Sequence, residues 1–70
     1  MTPEEAKNLK VGDVYYFTYK YKGRYDAHKS IVHNGASLNF VREHQHEKFI
    51  TEREAEEYAS FLNAQEKLKS

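Results

Sequence analysis

The residues that could do chemistry in this chain are four histidines, a scatter of serines and threonines, and a run in which tyrosines alternate with lysines. His44-Gln45-His46 has a metal-like spacing, because side chains at i and i+2 on a strand share a face, and His28, His33 or Glu47 could add ligands. A structural zinc site commits four ligands. Here two histidines sit in a polar stretch, where simple solvent exposure accounts for them, so no metal or other cofactor is expected. Ser30, Ser37 and Thr18 are possible nucleophiles, but nothing in the pattern marks a base, an orienting group and oxyanion donors around any of them. Gly12, Gly23 and Gly35 stand singly and far apart, so there is no glycine loop to cradle a phosphate. The expectation is a protein that is not an enzyme.

The tyrosine-rich run offers a different kind of chemistry. Tyr15 to Lys29 interleaves Tyr15, Tyr16, Phe17, Tyr19, Tyr21 and Tyr25 with Lys20, Lys22, Arg24 and Lys29. Tyrosine and arginine are favoured anchors at protein interfaces, which points to a protein-binding surface. Tyr19, Tyr21, Arg24 and Tyr25 are the expected contact residues, since they lie toward the polar end of the run. The same composition suits a stacking platform for single-stranded nucleic acid, with Lys20, Lys22 and Lys29 on the phosphates. Lysine plus arginine equals aspartate plus glutamate at 11 each, so the electrostatic attraction that dominates nucleic-acid binding is weak. A third option is a homodimer formed by an unprotected strand edge. Its charges are segregated: residues 7–33 are mildly basic, whereas residues 43–57 carry six glutamates against Lys48 and Arg53.

The elements that must position these residues are legible from local signals. Seventy residues make a single domain, 1–70, that buries only about three fifths of its unfolded surface. With no cysteine to staple it, the six tyrosines and four phenylalanines are expected to supply the core. Thr2-Pro3-Glu4-Glu5 is a capping box that opens a helix from Pro3 to about Leu9. Val14 to Tyr21 is the strongest strand, with Tyr15, Phe17, Tyr19 and Tyr21 on one face and Val14, Tyr16, Thr18 and Lys20 on the other. Lys22 to Asp26 reads as a turn, and Ala27 to His33 as a second strand. Asn34-Gly35 predicts a two-residue hairpin that pairs residues 27–33 with a strand over 36–44. A short strand, Glu47 to Ile50, then precedes a second capping box, Thr51-Glu52-Arg53-Glu54.

The last helix is expected from Glu52 to about Leu68. Ala55, Tyr58, Ala59, Phe61, Leu62 and Leu68 form its apolar stripe, and Arg53, Glu56, Ser60, Asn63 and Lys67 lie opposite. Lys67 and Lys69 complement the dipole at its end. The fold class is therefore α+β: an N-terminal helix within 1–10, antiparallel strands over 11–50 forming a three- to four-stranded curved sheet or small barrel, and a C-terminal helix over 51–70 packed on it. No apolar run reaches the roughly 20 residues of a membrane span, and the N-terminus lacks a signal-peptide core, so a cytoplasmic location is expected.

Two segments resemble known patterns. Leu9-Lys10-Val11-Gly12-Asp13-Val14-Tyr15-Tyr16-Phe17 is similar to the entry of small Src-homology-3-like barrels, where such a phrase leads into the first strand. The segment from Phe49 to Asn63, FITEREAEEYASFLN, is similar to the ending of many small bacteriophage and bacterial proteins. The resemblance implies a strand-rich body with a closing helix and a phage origin, under which the protein-binding reading becomes that of a phage-encoded modulator of a host protein in the host cytoplasm. It brings no catalytic residues.

Overall fold

The computed structural model describes residues 1–69, with Lys69 described by its backbone alone, so the expected role of the Lys69 side chain lies outside the described residues. Helix α1 is Pro3–Asn8, strands β1 and β2 are Val14–Tyr21 and Arg24–Ile31, and helix α2 is Gly35–Glu43. A 3-10 turn, Gln45–Glu47, leads into strand β3, Lys48–Phe49, and helix α3 is Glu52–Lys69. The strands form one antiparallel sheet of order β2-β1-β3. It is open, of three strands, and α3 packs across one face, which is the α+β architecture the sequence predicts. No helix among the described residues is long and apolar enough to cross a membrane.

Local signals set the outer elements. Thr2 Oγ1 accepts the Glu5 N–H at 3.1 Å while Glu5 Oε1 accepts the Thr2 N–H at 2.8 Å, the reciprocal capping box expected. The other end of α1 is held from a distance. The Arg42 guanidinium donates to the carbonyls of Ala6, Lys7 and Leu9 at 2.9, 3.0 and 3.1 Å, capping the last turn, where the Ala6 carbonyl also accepts the Leu9 N–H at 3.3 Å. At α3, Thr51 Oγ1 accepts the Glu54 N–H at 3.3 Å and donates to Glu54 Oε1 at 2.9 Å.

The middle of the chain departs from expectation. The strand predicted over 36–44 is helix α2. Asn34 does not turn a hairpin but caps the helix, its Oδ1 accepting the Ser37 N–H at 2.9 Å from an extended backbone. Asparagine serves both purposes, and burial decides between them. A helix puts Leu38 and Val41 one turn apart on the same side, where fully buried Val41 meets Leu9 and Val32, and Met1, Tyr15, Leu38 and Ile50 pack around them. Strand alternation would have split Leu38 from Val41. The two-residue hairpin lies instead at Lys22-Gly23, whose φ values of 53° and 79° are both left-handed. The predicted turn over 22–26 thus shrinks to two residues, and β2 starts at Arg24 and ends at Ile31.

The core is also built differently. The buried apolar residues are Ala6, Leu9, Val32, Val41, Ala55 and Ala59, and none of the ten aromatics is among them. Ala55 and Ala59 let α3 approach the sheet closely, with Tyr58 and Leu62 half-buried beside them. Phe61 and Leu68, expected on the buried stripe, are exposed, Leu68 by 86%. At 18 residues α3 is about 27 Å long, and Leu68 lies in its last turn, beyond the Lys20–Glu66 contact with β1. Asn63, expected on the outer side, faces the sheet.

Candidate docking face

β1 is the central strand, and its pleat divides the aromatic run between two environments. Toward α3 point Val14, Tyr16, Thr18 and Lys20, with Phe49 beside Tyr16, Ala27 beside Thr18 and Tyr25 beside Lys20. Phe49 meets the ring of Tyr58 of α3 at 5.3 Å. The opposite face carries Tyr15, Phe17, Tyr19 and Tyr21, with His28, Asp26 and Arg24 from β2 and Lys48 from β3. Its Tyr15 end is covered by the cluster of Leu9, Val32 and Val41.

The rest of that face is an aromatic strip. Phe17 stacks on His28 at 5.7 Å, and Tyr19 meets His28 edge-on at 5.7 Å. Lys48 Nζ lies 5.1 Å from the Phe17 ring and 5.4 Å from that of Phe40, which itself packs on His44 at 4.6 Å. At the other end Tyr19 is 55% and Tyr21 61% exposed, and Lys22 Nζ stands 5.4 Å from the Tyr21 ring. Arg24, directly across from Tyr21, is largely exposed, with Nε 3.9 Å from Asp26 Oδ1. Flat aromatic area flanked by cations can stack on planar groups, bury apolar side chains and hold carboxylates.

Of the predicted contact residues, Tyr19, Tyr21 and Arg24 come together on this face. Tyr25 does not. Its side chain lies on the α3 side, 5.6 Å below Lys20 Nζ, and Asn63 holds its backbone. The predicted nucleic-acid lysines are divided: Lys22 is at the hairpin turn, whereas Lys20 and Lys29 lie on the α3 side. Lys20 Nζ is 3.0 Å from Glu66 Oε1, and that hydrogen bond, then the Glu66 charge, and last Tyr25 hold its pKa above the ordinary lysine value despite slight opposing desolvation. His44 and His46 part company, His46 lying 3.9 Å from Glu47, and no group of three or more metal-ligating side chains converges among the described residues.

Phe40, Lys48 and His28 also belong to the strip, and no sequence pattern marks them as contact residues. The available signal was the i, i+4 spacing of Phe40 and His44, which becomes visible once 35–43 is read as a helix. No family model, curated protein or solved structure matches this chain.

Proposed function

We propose that the protein is a small, non-enzymatic protein-binding module that docks a larger partner on the open face of its sheet. One observation carries this reading: Tyr19 and Tyr21, with Arg24 beside them, stand exposed at the hairpin end of a face whose other end is covered at Tyr15. A chain that leaves Tyr19 and Tyr21 outside while building its fully buried core from alanine, valine and leucine has contact area to offer. A phage-encoded modulator of a host factor is the form of this reading that the resemblance of the 49–63 segment favours. The single-stranded nucleic-acid alternative has less support, since Lys20 and Lys29 lie away from the exposed tyrosines.

The test is capture of a partner by the tagged protein from bacterial lysate, with and without nuclease and at low and high salt, repeated with Tyr21→Ala/Arg24→Ala. A stoichiometric protein that survives both treatments and is lost with the folded double variant supports the module. Capture unchanged by the double variant removes these residues from the contact, and material lost to nuclease or salt moves the nucleic-acid reading to first place.

A further inference from the structure

The face of β1 turned away from α3 is unevenly charged. Lys48 stands on it from β3, across from Phe17, and Lys22 and Arg24 stand at its hairpin end beside Tyr21. The sheet positions of this face carry one carboxylate, Asp26, which lies across from Tyr19 and 3.9 Å from Arg24. Lys48 and Lys22 make no ion pair among the described residues. Their ammonium groups rest on rings instead, Lys48 on Phe17 and Phe40 and Lys22 on Tyr21, which positions each cation and leaves N–H donors for an anion. Between these two cationic ends lie the rings of Tyr19 and His28. The sheet sets the distance from end to end. Phe17 and Tyr21 are four residues apart on β1, about 13 Å, with Lys48 and Arg24 on its opposite flanks. An extended peptide has the same repeat: its side chains at i, i+2 and i+4 point one way over about 13 Å, and the long Lys48 and Arg24 side chains cover the lateral offset.

We propose that this face takes an extended acidic segment of a partner protein, with carboxylates at i and i+4 and an aromatic residue at i+2. One carboxylate meets Lys48, the other meets the Lys22–Arg24 end, and the ring between them packs over Tyr19 and His28. The inference rests on the reading of this face as a protein-docking surface and names the chemistry of what docks there. Arg24 is free to turn its fork to the incoming carboxylate, since at 3.9 Å it makes no hydrogen bond to Asp26. A continuous polyanion fits less well. Its charges recur over the middle of the strip, where Asp26 repels them, whereas the peptide carries no charge at that point. With two ion pairs only, the affinity falls shallowly with salt, unlike the steep loss of a nucleic acid.

The chain contains no tryptophan, so a tryptophan in the probe reports binding by its own fluorescence. The test is titration of the full chain into the acetylated, amidated peptide GSESWSESG, which is expected to bind with a dissociation constant below about 1 mM. GSEEWSSSG, of the same composition with the wrong spacing, binds about threefold more weakly, and GSKSWSKSG, of opposite charge, about tenfold. Lys48→Met keeps the stem over both rings and loses the charge, and Arg24→Gln loses a charge at the exposed end. Each weakens GSESWSESG about threefold with circular dichroism unchanged. Arg24→Glu reverses the preference: one of the mixed peptides GSKSWSESG and GSESWSKSG binds it better than GSESWSESG does, and which one reads the direction of the segment. No binding at 1 mM, equal binding of the first three peptides, variants without effect, or tighter binding of a ten-nucleotide oligothymidylate each overturns the proposal. Lysate capture that depends on Tyr21 and Arg24 while the peptides fail leaves the docking reading standing and removes the acidic segment alone.

Discussion

The side-chain amide of Asn63 grips the backbone of Tyr25 from both sides: Oδ1 accepts the Tyr25 N–H at 2.8 Å and Nδ2 donates to the Tyr25 carbonyl at 3.0 Å. One side chain thereby imitates a single residue of a neighbouring strand, on an edge that needs protection. It also anchors the C-terminal half of α3 to the hairpin, with the Lys20–Glu66 pair one helical turn further on.

Removing that grip leaves two backbone groups without their partners at a half-buried position. Asn63→Ala is expected to destabilise the fold by about 1–3 kcal/mol in urea unfolding. Asn63→Asp keeps an acceptor for the Tyr25 N–H but has no donor for its carbonyl, and should fall between the two. An alanine variant as stable as the parent would show that water replaces the amide at no loss.

Arg42 ties α2 to the end of α1 by its contacts with the carbonyls of Ala6, Lys7 and Leu9. Hydrogen bonds from a charged donor put the loss on Arg42→Ala at about 1.5–3 kcal/mol. Lysine has no planar fork to span several carbonyls, so Arg42→Lys should recover less than half of it by the same measurement.

Lys22 sits at φ 53°, where a side chain with a Cβ is strained, and Gly23 follows at φ 79°. Lys22→Asn installs the residue pair preferred in such turns and is expected to stabilise by about 0.5–1 kcal/mol. Gly23→Ala should destabilise by about 1 kcal/mol. Thermal unfolding distinguishes the two, and shifts of the same sign would place the turn elsewhere.

The Lys20–Glu66 pair gives a pH dependence with a definite sign. Folding raises the Lys20 pKa, first through the Glu66 hydrogen bond and then through its charge. The folded state therefore holds the lysine proton more tightly than the unfolded chain does. The resulting stability is complete below the ordinary lysine value and is lost as pH rises through the raised one. Both partners are nearly half exposed, so the effect is small and weakens with salt. The urea midpoint of the parent should decline more between neutral and strongly alkaline pH than that of Lys20→Gln. Parallel declines would mean that the pair adds nothing.

The sequence by itself determined the elements whose signals are local. The Thr2–Glu5 box starts α1, the aromatic and β-branched run makes β1, and Thr51 with Glu54 opens α3. The alternation along β1 also put Tyr15, Phe17, Tyr19 and Tyr21 on one face correctly, because a strand's period of two leaves no other choice. Tertiary structure decided the rest. Asn34-Gly35 is compatible with a hairpin or a helix start, and only burial of Val41 against Val32 and against Leu9, which lies far away in the chain, selects the helix. Which tyrosines are exposed depends on where α3 lies, and α3 is placed by small residues, Ala55 and Ala59, together with Asn63, whose partner Tyr25 is 38 residues distant. Helical periodicity records which residues share a stripe, but not which of them a neighbouring element covers, which is why Leu68 reads as core and stands in water.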